Sequence, residues 1–239
     1  MTNIKDILSD NLARIKDRIH ETAAKAGRNP ESVKLVTVSK TFPAEVVKEA
    51  ILAGADILGE NYIQEARDKI EILSPYPASW HFIGHLQSNK AKYAVRLFDL
   101  IHTVDSEKLA AELDNQAAKI DKIQDILIQV NISGEETKSG VSPENCSKLI
   151  AGIRHMKHVR IRGFMTMPPF FDEPEKARPY FHALFRLKED IISEMAGENK
   201  NQAAFITELS MGMTGDFEAA VMEGATLVRI GTAIFGGRK

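Results

Sequence analysis

Val33–Lys34–Leu35–Val36–Thr37–Val38–Ser39–Lys40, with Thr41–Phe42–Pro43 behind it, is the stretch from which the fold can be read. Its first eight residues form a β-rich run. Pro43 then opens a helix that reaches Ala53, because proline is tolerated in a first helical turn whose N–H groups have no acceptor. Together they make one strand-then-helix unit. Upstream lies an amphipathic helix over residues 3–26, with Ile4, Ile7, Leu8, Leu12, Ile15 and Ile19 at helical spacing and Gly27 as its stop.

Downstream the unit recurs. Strands are expected at Ile57–Glu60, Trp80–Gly84, Leu100–Val104, Asp125–Ile132, Val159–Met167, Ala204–Leu209 and Thr226–Ile230. Helices are expected to about Leu73, over Ser88–Phe98, from a Ser106 cap to about Ile120, from Ser142–Pro143, over Pro174–Glu194 and over Asp216–Glu223. Eight such units predict a parallel sheet, and eight strands close a (β/α)8 TIM barrel, here with an extra N-terminal helix. An open doubly wound sheet is the second reading. No linker or composition break divides the chain, so one domain over residues 1–239 is expected. The loose segments lie near Gly134–Gly140 and Gly197–Gln202.

Composition narrows the function. Hydrophobic residues make up 44% and charged residues 27%, with a formal net charge of −2. That balance points to neither nucleic acid nor an anionic membrane. Cys146 is the one cysteine; it excludes an internal disulfide, fits a reducing compartment and reads as a small apolar residue in a helix. Met1–Asn11 lacks the pattern of a signal or transit peptide, and no apolar run is long enough to span a bilayer. A cytoplasmic protein is expected.

In a barrel of this kind the site forms at the C-terminal strand ends. There stand Lys40 on strand one, Asn61 on strand two, His85 on strand three and Arg229 on strand eight. The loops after strands seven and eight, Ser210–Asp216 and Gly231–Gly237, are rich in glycine and hydroxyls. Such loops let backbone N–H groups approach a phosphate closely. Lys40 is the candidate nucleophile. A free lysine amine is protonated near its reference pKa of about 10.4, but burial beside Arg229 would favour the neutral amine. His81 and His85 lie four apart on a strand with no acidic or sulfur ligand beside them; a zinc site is not expected, though His85 is a candidate to line the pocket.

Six blocks carry a family resemblance: Leu35–Lys40, Gly59–Tyr62, Trp80–Lys90, Gly163–Met167, Leu209–Asp216 and Val228–Gly236. In this order, over nearly the whole chain, they resemble the pyridoxal phosphate homeostasis protein family, which is related to the N-terminal barrel domain of alanine racemase. The resemblance implies pyridoxal 5′-phosphate (PLP) held as a Schiff base on Lys40, its phosphate cradled by Ser210, Gly231 and Thr232, and its pyridine nitrogen faced by Arg229. Asn61 and Met211 would line the cofactor pocket, and Met165 and Gly212 complete the set with His85.

Arginine is always a donor, so the nitrogen it meets must be an unprotonated acceptor and the ring a weak electron sink. Poor transamination and decarboxylation are expected. Only Gly237, Arg238 and Lys239 follow the last block, without the second domain that supplies a Tyr base in alanine racemase-like enzymes, which argues against an efficient racemase. Three readings follow. The first is a protein of intracellular PLP (vitamin B6) homeostasis that buffers PLP or delivers it to PLP-dependent apo-enzymes. The second is a small fold-type III enzyme with weak amino-acid racemase activity. The third is a barrel acting on another phosphorylated metabolite. A monomer is expected, unless a large apolar patch is exposed near the barrel mouth.

Overall fold

A computed structural model describes residues 4–135, 137–198 and 203–237. The chain begins with helix α1 (Ile4–Lys25). Alternating elements follow: β1 (Lys34–Val38), α2 (Ala44–Leu52), β2 (Ile57–Glu60), α3 (Ile63–Leu73), β3 (Ser79–Phe82), α4 (Ala91–Leu97), β4 (Leu100–Val104) and α5 (Glu107–Ala118). The second half continues β5 (Gln124–Gln129), α6 (Pro143–Ile153), β6 (Val159–Met165), α7 (Arg178–Glu198), β7 (Glu208–Met213), α8 (Phe217–Met222), β8 (Leu227–Ile230) and α9 (Thr232–Phe235). All strand pairs are parallel, and β8 pairs with β1 through Lys34↔Leu227 to Thr37↔Ile230. The sheet is therefore a closed eight-stranded barrel, and the open-sheet reading falls.

Side chains alternate across each strand. One set fills the barrel, where Val36, Leu100, Leu127, Met165 and Leu227 pack together. The other set faces the helices and joins the larger apolar layer between barrel and helices, with Leu58, Phe82, Ile101, Phe164 and Leu209 among it. Helix caps fall where expected: Leu109 N donates to the Ser106 hydroxyl, and Pro143 opens α6 behind Ser142. Cys146 is buried in α6, where burial pushes its thiol up to about 12, so it remains an inert thiol.

Helix α1 packs on α8, α9 and α2, beside the seam where β8 meets β1. Leu8, Leu12, Ile15 and Ile19 are its buried face. Asn11 Nδ2 donates to Ile234 O (2.8 Å), and Arg28 donates to Val221 O and Ala225 O. Ile4 and Ile7, expected on the same stripe, remain 46% and 45% exposed, because the stripe outruns the surface beneath it.

One strand lies elsewhere than the apolar pattern indicated. β7 begins at Glu208, not Ala204. Phe205 is half-exposed, and Ala203–Ile206 closes a turn before the ladder starts. The register Gly163↔Glu208, Phe164↔Leu209 and Met165↔Ser210 draws Ser210 into the sheet. A bulge follows, where Gly212 has φ +88° and the pairing to β8 slips between Ser210 and Met213. The loop after β7 therefore starts at Thr214. Ser88–Lys90 is a 3-10 turn, and α4 starts at Ala91. Of the loose segment Gly197–Gln202, residues 199–202 lie outside the described residues.

Candidate functional site

A cavity of about 290 Å³ opens at the C-terminal end of the barrel. Five of the expected residues line it: Lys40 after β1, Asn61 after β2, Arg229 on β8, and Gly231 and Thr232 after it. Barrel closure makes β8, β1 and β2 neighbours, so residues 40, 61 and 229 come from adjacent strands. Thr214, Gly215 and Asp216, from the loop after the neighbouring β7, complete the lining.

The five other candidates stand apart from this cavity. Ser210 is fully buried inside the barrel, where its hydroxyl meets Arg229 and His102. Met165 belongs to the apolar cluster of the barrel interior, and Met211 to the layer under the helices. Gly212 packs against Phe217 and Ala220, where a Cβ would lie 2.6 Å from Ala220 Cβ. His85 lines a separate surface depression with Asp105 and Lys108. For the β7 and β3 residues the reason is register: the bulge at Gly212 delays the rim of β7 to Thr214, and the β3 chain turns at Gly84. At Gly84 a Cβ would lie 2.2 Å from Asn61 O, so only glycine lets this turn pass the backbone of Asn61.

The rim after β7 and β8 is built from hydroxyls and backbone. Thr232 Oγ1 donates to Thr214 Oγ1 at 3.1 Å, joining the two loops. Asp216 accepts from Met213 N at 2.6 Å and so closes the turn that presents Thr214 and Gly215. Burial raises the Asp216 carboxyl pKa. At Gly231 a Cβ would sit 3.1 Å from Val38 O, which brings the two strand ends close. The first N–H groups of α9 have no intrahelical acceptor. Two hydroxyls, glycine backbone and free N–H groups are a donor set suited to a phosphate.

Arg229 is 4% exposed. Its Nη1 donates to Ser210 Oγ at 2.7 Å and its Nη2 to Thr166 O at 3.1 Å. Both partners are neutral. Burial pulls the guanidinium down to about 10, with Asp216 opposing, so it remains a cation at neutral pH. Asn61 Oδ1 is a buried acceptor with no hydrogen-bond partner among the described residues. A buried unpartnered acceptor and a buried cation on one wall suit a polar, anionic ligand.

The backbone around Lys40 is held by groups that local sequence pattern did not single out. Lys69 of α3 is buried, and its Nζ donates to Ser39 O (2.7 Å), Glu60 Oε1 (2.7 Å) and Glu65 Oε1 (2.6 Å). The Ser39 hydroxyl donates to Glu60 Oε1 at 2.7 Å, and Thr41 N donates to Glu65 Oε1. Thr41 has φ +71°, a left-handed conformation unusual for a residue with a branched Cβ. Both peptide groups flanking Lys40 are therefore tied to one ion cluster. Burial raises the Glu60 pKa, and Lys69 opposes it. The legible signal was Glu65 and Lys69 at i, i+4 on a charged helix.

A cleft of about 240 Å³ near the start of β6 is lined by aliphatic side chains of α6 and by Arg154, Lys157 and Arg160. Among the described residues no group of three His, Cys, Asp or Glu side chains could hold a metal, and no helix is long and apolar enough to cross a membrane.

Comparison with known proteins agrees with this fold. The family model for the N-terminal domain of alanine racemase matches residues 11–239. A pyridoxal phosphate homeostasis protein of Aquifex aeolicus is 44% identical over 230 residues, covering 96% of this chain and 98% of that protein. One from Escherichia coli K12 is 41% identical over 234 residues, 97% of each chain. The solved structure of PipY from Synechococcus elongatus PCC7942 with PLP bound superposes with a TM-score of 0.83 at 33% identity, covering 96% of this chain and all of that one (100%). Alanine racemase of Clostridium difficile 630 shares the fold at 16% identity, with a TM-score of 0.74 over 98% of this chain and 57% of the racemase.

Proposed function

The chain belongs to the pyridoxal phosphate homeostasis protein family, with an alanine racemase N-terminal domain, and from that premise we propose that it binds PLP reversibly in the cavity and buffers it or hands it on. The observation that carries this reading is the convergence of Lys40, Asn61 and Arg229 on one cavity beside the Thr214–Thr232 hydroxyl pair. PLP supplies an aldehyde, a phosphate and a pyridine acceptor. Lys40 Nζ would meet the aldehyde, as a Schiff base formed with release of one water and reversed by hydrolysis. Thr214, Gly215, Gly231 and Thr232 would hold the phosphate, and Asn61 would orient the ring. Arg229 would donate to the ring nitrogen and keep it unprotonated, which would disfavour the electron-sink chemistry of a catalyst and favour retention.

The recipients under this reading are PLP-dependent apo-enzymes. Phe170, which lines the cavity, is 89% exposed, and Met167 and Met213 beside it are each 40% exposed. That apolar rim is the feature expected of a self-associating face, so sedimentation at several concentrations decides between a monomer and a dimer that covers Phe170.

The direct test is absorbance of the purified protein with PLP, before and after borohydride, beside Lys40→Ala. A yellow band that borohydride bleaches, with the label retained on the wild-type chain and absent from the variant, is the expected result. A wild type that stays colourless with excess PLP overturns the reading.

A further inference from the structure

Behind Arg229 a line of polar groups crosses the barrel interior. Ser210 Oγ lies 2.7 Å from Arg229 Nη1 and 2.8 Å from His102 Nδ1, and His102 Nε2 lies 3.0 Å from His81 Nδ1. Ser210 and His102 are fully buried, and His81 is 6% exposed. Polar groups are costly in so dry a place unless every donor finds an acceptor. We propose that His102, acting through Ser210, is a positioning residue that fixes the Arg229 guanidinium at the cavity wall, and that His81 locks the tautomer in which it does so.

The direction of the chain follows from counting protons. Arginine only donates, so Ser210 Oγ accepts from Arg229. The serine has one proton, and His102 Nδ1 is the acceptor in reach. The opposite arrangement, with His102 Nδ1 donating, would load Ser210 with two donors. Its own proton would then have no acceptor among the described residues. Desolvation favours the first arrangement. His102 therefore carries its proton on Nε2 and gives it to His81 Nδ1, which leaves His81 with its proton on Nε2 as well. Burial holds both imidazoles neutral.

A neutral chain suits this position. A carboxylate in place of Ser210 would pair with Arg229, neutralise its charge and turn the donor away from the cavity. Ser210 and Thr166 O instead hold the guanidinium by two of its corners without cancelling the charge. The cation stays available to an acceptor on the ligand. What this means for PLP rests on the function proposed above; the hydrogen-bond chain itself stands without it.

The test uses the whole chain. Nitrogen-15 spectra of the histidines, taken without PLP at neutral pH, are expected to show Nε2–H tautomers at His102 and His81. An Nδ1–H tautomer or an imidazolium at His102 overturns the proposal. Hydrogen exchange of the Arg229 side-chain protons is expected to speed up in Ser210→Ala and His102→Leu. His102→Asn, whose amide oxygen stands near the position of Nδ1, is expected to restore slow exchange. PLP affinity by absorbance titration is expected to fall roughly tenfold in the first two variants, as for loss of a buried polar partner, and to recover in the third. Thermal melts exclude variants that do not fold. If folded Ser210→Ala keeps wild-type exchange and affinity, the positioning role is wrong. If wild type takes up no PLP while tautomers and exchange behave as expected, the positioning role stands and the PLP reading falls.

Discussion

Two neighbouring parts of the cavity wall are built from opposite electrostatic materials. Around Lys40 the chain is held by an ion cluster in which Lys69 meets Glu60, Glu65 and the Ser39 carbonyl. Around Arg229 it is held by neutral groups, Ser210 and the Thr166 carbonyl, with two neutral imidazoles behind them. The ion cluster uses its charges on one another and on backbone, and what it provides is rigidity for an unusual turn at Thr41. The neutral chain does not pair the charge, and what it provides is a buried cation at the cavity, with the Asp216 carboxyl as its electrostatic neighbour. The difference teaches that one cavity can combine both: a fixed backbone under a lysine and a buried cation held by neutral hydrogen-bond partners.

Breaking the ion cluster is expected to have the largest effect. Lys69→Met removes the cation that pairs with two buried or half-buried carboxylates, and a broken buried pair costs about 3 kcal/mol or more. Urea unfolding is expected to show that loss. The double variant Lys69→Met with Glu60→Gln is expected to regain part of it, because the orphaned carboxylate is gone. Equal loss in both would show that packing, not charge, holds the turn.

The neutral wall has its own signature in acid. Burial lowers the His81 pKa from 6.5 to about 4 in the folded chain. The unfolded chain therefore takes up a proton first as pH falls, and the folded state loses stability between about pH 6.5 and 4, by on the order of 3 kcal/mol. Above that window the contribution is constant, and below it there is no further loss. Glu60, whose pKa is raised, acts in the opposite sense, so the comparison is wild type against His81→Gln. The variant is expected to have the flatter profile of urea midpoint against pH.

Smaller effects sharpen the contrast at the ligand. Arg229→Met removes one charge-assisted donor and is expected to weaken PLP binding by about 2 kcal/mol, roughly thirtyfold, with little change in a Lys40-dependent spectrum at saturation. Thr214→Ala and Thr232→Ala each remove a single neutral hydroxyl and are expected to cost about 1 kcal/mol, severalfold in affinity. Ser210→Ala separates the cradle expected from the sequence from the one proposed here. If its effect on inorganic phosphate competition matched that of Thr214→Ala, Ser210 would be a phosphate ligand after all.

Much of this molecule was legible before any coordinates. The alternation of β-rich and helical stretches is a local property, and its eightfold repeat determined the barrel. Lys40, Asn61, Arg229, Gly231 and Thr232 stand where strand ends and glycine-rich loops said they would. What escaped is what depends on register and closure. Ala204–Phe205–Ile206 reads as a strand because its residues are apolar, yet the ladder with β6 starts at Glu208 and slips at Gly212. That moved Ser210 inward and put Thr214 at the rim. Lys69 is nine residues from Glu60 along the chain, and His102 is 108 from Ser210. Sequence alone determined the elements and the strand-end chemistry, because hydrophobic period, proline and glycine act within a few residues. The tertiary structure alone decided which hydroxyl reaches the cavity, which lysine braces Lys40 and which histidines stand behind Arg229, because closing a barrel sets distances that no local pattern contains.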